Sequence, residues 1–279
     1  MAPSTSNRNW TLEASEKHRQ RYARWVGVGI VGLALVSCVT PAMAATSCPL
    51  GESDSVAGLR VTHRVVGDVA QHQPLPLVLA VHGLGDRAEH FIEILAGLRG
   101  PARIVAPQAP IPYRMGWSWF SGLPGDGTPS HVVAARVWQA TARLERLVRR
   151  LKSACPTRGR AIVVGFSQGG VLAFALARHS PNLVRLAVPI SGWLPRGLRR
   201  GTATAPARVF AVHGGADRLV APQRAKRSVA HLTANGGQAT LKLFGAVGHA
   251  IGQTMQKTVL RVVQESLSTS AARRRRETE

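Results

Sequence analysis

The sequence predicts an α/β fold, a mostly parallel, doubly wound sheet with helices on both faces. Three observations carry this. Short apolar runs rich in Val, Ile and Leu recur along the chain, bounded by turn residues, as buried parallel strands require. Segments with apolar residues at helical spacing stand between them. Repeated strand–helix alternation then implies parallel pairing through crossover helices. The 279 residues, 45% of them apolar with 28 Gly and 17 Pro, have a globular composition and suffice for one domain with a full core.

Residues 1–25 are polar and basic, with Lys17, Arg19, Arg21 and Arg24. Val26 to Val39 is an apolar run of 14 residues, shorter than the ~20 of a spanning helix. Pro41-Ala42-Met43-Ala44-Ala45 follows, with small residues at −3 and −1 of a cut after Ala44. Basic region, apolar run and small-residue site predict a signal peptide over 1–44 and an exported protein, periplasmic or secreted. Leu35-Val36-Ser37-Cys38 resembles a lipobox, so a lipoprotein anchored through Cys38 is the alternative. Residues 45–270 are expected to form one domain, and 271–279, with Arg273 to Arg276, a basic disordered tail.

Within the domain, Arg60–Val66 reads as a strand and Leu77–Val81 as a second, buried one. Ala88–Leu98 has helical spacing at Phe91, Ile94, Leu95 and Leu98. Ile104–Ala106 is a short strand leading into a long loop, Pro107–Pro129. Val132–Cys155 is a long amphipathic helix, Ala161–Val164 a buried strand and Val171–His179 an apolar helix. Leu186–Ile190, Val209–Val212 and Thr240–Phe244 are strands, and Ile251–Leu267 is the last helix.

Lys and Arg number 36 against 14 Asp and Glu, a net charge of +22. The predicted leader holds five basic and two acidic residues, so +19 remains with the mature part. Such a surface attracts an anionic membrane or a polyanion. Basic residues are not interleaved with aromatics as a nucleic-acid stacking surface needs, so no nucleic-acid partner is expected. Of three Cys, Cys38 falls in the leader. Cys48 and Cys155 form one disulfide in an oxidising compartment or stay as two thiols; neither has metal or redox spacing.

The chemistry centres on Gly165-Phe166-Ser167-Gln168-Gly169-Gly170, between a strand and a helix. Turning from one into the other on a single residue strains Ser167 and leaves no room for side chains at Gly165 and Gly169. It also lifts the hydroxyl above the sheet at a helix N-terminus, which favours developing negative charge. A serine hydroxyl needs a base to take its proton and an acid to orient the base, here expected in the order Ser, Asp, His. Asp217 is the sole acidic residue between Ser167 and His249, and it follows the strand ending at Val212. His249 stands in a loop of small residues after Phe244. Of the rival histidines, His179 ends a helix, His231 lies on a surface helix, and His213 at a strand end is more suited to supporting the acid loop. An oxyanion hole needs two converging N–H donors. Gln168, after the serine, offers one, and Leu84 in His82-Gly83-Leu84-Gly85-Asp86 the other.

These stretches, with Ser191-Gly192-Trp193-Leu194-Pro195, His213-Gly214-Gly215-Ala216-Asp217 and Gly248-His249, resemble the phospholipase/carboxylesterase family across about residues 75–265. That family includes bacterial carboxylesterases, lysophospholipases and acyl-protein thioesterases. The resemblance implies an α/β-hydrolase fold, a triad of Ser167, Asp217 and His249, and Leu84 and Gln168 as backbone donors. It further implies little or no lid, ester or thioester substrates with small to medium acyl groups, and no metal or cofactor. Two departures stand out: family members are mostly cytosolic, and Pro222 comes one place later than usual. Trp117, Trp119 and Phe120 in the long loop are candidate walls of an acyl or aromatic pocket, or else pack that loop on the core. An aromatic-ester or polyester hydrolase, and a non-catalytic binding protein on the same scaffold, are the rival functions.

Overall fold

Every residue of strand β3 (Leu75–Val81) is buried, and its alternate side chains build two separate cores. Leu77, Leu79 and Val81 enter one core, Val78 and Ala80 the other, as the two-residue period of a strand dictates. The computed structural model describes residues 48, 50, 53–69, 73–122, 126–200 and 205–278, with side chains to residue 269. The predicted signal peptide, its cut after Ala44 and the lipobox at Cys38 lie outside the described residues.

Eight strands form the main sheet: β1 (Ser53–Val56), β2 (Leu59–Val66), β3, β4 (Ala102–Pro107), β7 (Thr157–Phe166), β8 (Val184–Ile190), β9 (Arg208–Gly214) and β10 (Ala239–Phe244). Their spatial order is β1-β2-β4-β3-β7-β8-β9-β10. From β4 to β10 all neighbours are parallel, whereas β2 runs antiparallel to both β1 and β4. The mostly parallel sheet is therefore as expected. The unforeseen β1 is joined to β2 through Ala57 and Gly58, both at positive φ (53° and 77°), the backbone of a two-residue hairpin turn.

One face of the sheet carries α2 (Ser130–Ala154), α3 (Gln168–His179) and α4 (Pro222–Ala234), and the other α1 (Ala88–Phe91) and α5 (Gln253–Thr278). In α3 every residue from Gln168 to Arg178 is buried, which fits its run of Val, Leu, Ala and Phe with no polar stripe. The long amphipathic helix, α2, turns Val137, Leu144, Leu147, Val148 and Leu151 inward and keeps its arginines outside.

Three expectations are corrected. The segment 88–98 is a single α-turn, α1, continued as a 3-10 helix at Ile92–Leu95. Ile92, Leu95 and Leu98 are all buried at a spacing of three, which the tighter 3-10 winding accommodates. The loop 107–129 contains a small hairpin, β5 (Ile111–Tyr113) with β6 (Gly116–Ser118). Helix α5 continues past Leu267 through Arg273–Arg276 to Thr278, where a disordered tail was expected. No Gly or Pro interrupts 253–278, and Ala271, Ala272 and the arginines favour helix. Cys48 and Cys155 are joined as a disulfide, which ties the stretch before β1 to the end of α2.

Candidate active site

Four loops leave the C-terminal ends of β3, β7, β9 and β10, the edge at which open α/β sheets present their sites. The loop after β7 is one residue long. Ser167 stands between β7 and α3 at φ 52°, ψ −111°, a left-handed backbone that an L-residue adopts only at a cost of about 1–3 kcal/mol. The surrounding glycines explain how so tight a turn closes. A Cβ at Gly165 would fall 2.2 Å from the carbonyl oxygen of Gly169, and one at Gly169 would fall 1.9 Å from that of Val81.

The loops after β9 and β10 bring an acid and a base to this serine. His249 Nε2 is 2.9 Å from Ser167 Oγ, and His249 Nδ1 is 2.7 Å from Asp217 Oδ2. A carboxylate only accepts, so Nδ1 carries the proton and Nε2 is left to accept from the hydroxyl. Asp217 is fully buried at its carboxylate, where Oδ1 accepts the N–H groups of Leu219 (3.0 Å) and Val220 (2.8 Å). Burial pushes its pKa up, but the Val220 N–H and the hydrogen bond from His249 outweigh it and hold it below the ordinary carboxylate value. The two loops are fastened to each other. Ala216 N–H donates to Val247 O (3.0 Å), Gly215 N–H to Phe244 O (2.7 Å), and a Cβ at Gly214 would strike Gly248 O at 2.2 Å.

His213, the rival base, is fully buried beside Asp217, and the imidazole bonded to Ser167 is that of His249. The His213 Nε2–H donates to Val220 O (2.8 Å) and lies 3.3 Å from Asp217 Oδ2, so it braces the acid loop. Burial lowers its pKa and keeps it neutral. His179 bonds Leu198 O and His231 bonds Arg199 O, both away from the serine.

The loop after β3 supplies the remaining surface. Gly83 packs on the serine, for a Cβ there would meet the Phe166 ring at 3.0 Å and Ser167 Cβ at 3.4 Å. The fully buried His82, whose part the sequence did not disclose, donates from Nδ1–H to Gly83 O (2.7 Å) and accepts at Nε2 from Ala109 N–H (3.1 Å) and the Gln108 amide (3.1 Å). Burial lowers its pKa, so the neutral ring makes these bonds. In a trans peptide C=O and N–H point in opposite directions, so anchoring Gly83 O at His82 turns the Leu84 N–H away from that ring. Gln168 is the first residue of α3, and its N–H has no acceptor inside the helix. Its side chain is locked: Oε1 accepts Trp119 N–H (2.9 Å) and Nε2 donates to Phe120 O (2.7 Å).

Of the three candidate pocket walls, two turn into the core. Trp119 and Phe120 are 2% and 3% exposed and belong to the core, with Trp119 Nε1–H donating to His82 O (2.9 Å). Both take the alternative the sequence left open and pack the long loop on the core. Trp117 is half-buried in that hairpin, where Gly85 N–H donates to its carbonyl (2.8 Å) and its own N–H to Asp86 O (3.1 Å). Among the described residues, no group of three His, Cys, Asp or Glu side chains is gathered as a metal site would need.

A profile of the phospholipase/carboxylesterase family matches residues 63–270. Acyl-protein thioesterase 1 of Mycosarcoma maydis is 27% identical over 181 residues, 56% of this chain and 75% of that protein. Esterase YpfH of Escherichia coli is 26% identical over 193 residues, 63% of this chain and 76% of the other. Among solved structures, esterase PE8 superposes with a TM-score of 0.65 at 24% identity, covering 74% of this chain and 98% of its own. A carboxylesterase from Mesorhizobium loti gives 0.64 at 21% identity, covering 76% and 99%. The two structures speak for the fold, and the profile for the family. The chain belongs to the phospholipase/carboxylesterase family of ester-hydrolysing enzymes and has its α/β-hydrolase fold.

Proposed function

We propose that the protein is an exported serine carboxylesterase that hydrolyses esters or thioesters with small to medium acyl groups. The observation that carries this reading is the continuous chain from Ser167 Oγ through His249 to Asp217, at 2.9 Å and 2.7 Å. As the Ser167 oxygen bonds to the substrate carbonyl carbon, its proton passes to His249 Nε2. Asp217 holds the imidazole in the tautomer that can accept and stabilises the cation that forms. The carbonyl oxygen, now negative, is met by the N–H groups of Leu84 and Gln168. When the tetrahedral intermediate collapses, the bond to the alcohol or thiol breaks and the His249 proton goes to the leaving group. Water, deprotonated by His249, then attacks the acyl-enzyme, and the proton returns to Ser167 as the acid departs.

Export rests on the basic-then-apolar N-terminal pattern of residues 1–44, and a disulfide between Cys48 and Cys155 suits an oxidising compartment. The mass of the mature N-terminus separates a chain cut after Ala44 from one lipidated at Cys38. Activity is tested with p-nitrophenyl esters of increasing acyl length, comparing the protein with Ser167→Ala. Turnover that is highest for short to medium chains and is lost in the variant is the expected result. No turnover of any ester would overturn the esterase reading and favour a binding protein on this scaffold.

A further inference from the structure

A cleft of about 420 Å³ opens between the start of α2, the segment Trp193–Arg199 and α4, and none of Ser167, Asp217 or His249 lines it. Its walls carry four guanidinium groups, from Arg196, Arg199, Arg224 and Arg227. Among the described residues no ion pair to a carboxylate is seen at any of the four: the arginine ion pairs seen there, Arg60–Glu89, Arg64–Glu93 and Arg261–Glu265, lie elsewhere, and Asp126, the acidic residue next to the lining, accepts the Thr128 N–H (2.9 Å). The sequence accounts for the imbalance. Asp217 is the only acidic residue between Ser167 and His249, and it is committed to His249. Like charges gathered in one concavity repel, and such a cluster is stable in water only with an anion or at a cost in folding energy.

The local geometry favours an oxyanion with several acceptor atoms. Arg199 Nε is buried without a partner, an unused donor beside the cleft. Arg224 stands over the Trp193 ring, Cζ 5.5 Å from its centroid, a cation–π contact at the wall of the cleft. Arg227 directs Nε to the carbonyl of Gln223 (3.2 Å), and its two terminal nitrogens show no partner among the described residues. The first turn of α2 adds the Ser130 hydroxyl at a helix start with no side-chain cap and no acidic residue. Guanidinium forks, a hydroxyl and an uncapped helix start together match the three or four oxygens of a tetrahedral anion. Burial and the neighbouring charges of Arg196 and Arg227 lower the Arg199 pKa, as an unneutralised cluster requires.

We propose that this cleft binds a phosphate group, either free phosphate or the phosphate of an amphiphile headgroup. The apolar floor formed by Val133, Trp193 and Leu194 would receive the first carbons of an amphiphile. The assignment does not depend on Ser167, because the readout is binding and not turnover.

Calorimetric titration of the full chain with inorganic phosphate and with octyl phosphate, which contains no carboxylic ester, tests it. Saturable binding of at least one probe is expected, weakened about tenfold or more in Arg199→Gln/Arg227→Gln. The control, Arg149→Gln/Arg150→Gln, removes the same charge from the exposed far end of α2, about 28 Å along the helix, and should stay within about twofold of wild type. If the first double variant fails to fold, the exposed Arg196→Gln and Arg224→Gln replace it. Octyl phosphate binding much more tightly than phosphate identifies a headgroup site, and equal affinities identify a free-phosphate site. The proposal is overturned if neither probe binds saturably, if the cleft variants bind as wild type does, or if the control loses as much affinity as they do.

Discussion

Replacing Asp217 by Asn changes one oxygen into an NH₂ group and almost nothing in shape, so the structure sets out what must follow. The amide has two orientations. With its oxygen toward Leu219 and Val220 it keeps both backbone bonds at 3.0 and 2.8 Å, and points NH₂ at His249 Nδ1. Flipped, it would set two N–H donors against two backbone N–H groups in a fully buried position, a loss of about 1–3 kcal/mol for each unsatisfied donor. The first orientation therefore wins, and its only other conflict is with the His213 Nε2–H at 3.3 Å, which retains Val220 O. In that orientation His249 Nδ1 has to accept, so the ring proton moves to Nε2 and faces Ser167 Oγ. The base is then occupied. A loss in kcat of about 10⁴ is expected, the size found when a triad acid is changed to its amide elsewhere. Loss of one charge-assisted bond costs about 1.5–3 kcal/mol, or about 3–12 °C in Tm for a domain of this size. Stopped-flow or steady-state hydrolysis of p-nitrophenyl butyrate and scanning calorimetry measure the two effects. A variant with more than about a tenth of wild-type kcat would refute the tautomer argument.

Three further outcomes follow from the same geometry. Gly169→Ala places a Cβ 1.9 Å from Val81 O and forces α3 away from β3; activity should fall by about 10²-fold or more, as displacements near 1 Å do, and wild-type kcat/KM would contradict the packing described. His82 and His213 are fully buried with pKa values below the ordinary 6.5, so the unfolded chain takes up protons that the folded one refuses. Stability is then complete above that ordinary value and falls as pH drops below it, by up to about 1.4 kcal/mol per pH unit for each ring. Asp217, whose pKa is depressed, contributes stability that is lost only further down, as pH falls through its folded value; a Tm unchanged between pH 7.5 and 5.5 would refute the histidine part. Cys155→Ser opens a link between residues 107 apart and should cost about 2–4 kcal/mol. Its place before β7, at the end of the sheet opposite Ser167, predicts unchanged kcat at 25 °C, checked by calorimetry and ester hydrolysis on one sample.

Where one residue type was demanded by local geometry, the sequence was informative. Gly165, Ser167 and Gly169 belong to a turn that tolerates few alternatives, and Asp217 had no acidic competitor before His249. Strands β3, β4 and β8 and the second half of β7 were legible because they are buried on both faces and read as apolar runs. What was hidden depends on long-range pairing. The hairpin of β5 and β6 has only three residues per strand, one of them Pro112, and is held by the loop after β3. Trp119 and Phe120 look alike in sequence whether they line a pocket or a core, and only the bonds of Gln168 and His82 to that segment decide it. His82 could have been suspected from its place before Gly83, but its three bonds reach to Gln108 and Ala109, about 27 residues away. The arginine cleft was visible only as an excess of charge, with no sign of where the guanidinium groups would meet.

The proposed function stands on Ser167 acting as a nucleophile activated by His249. Treating the folded protein with a fluorophosphonate and mapping the adduct by peptide mass spectrometry tests it most directly, because the reagent reacts with activated serines and not with ordinary ones. A single stoichiometric adduct on Ser167 is expected, absent in Ser167→Ala and formed much more slowly in His249→Ala. An unlabelled folded protein, or an adduct on a different serine, would contradict it.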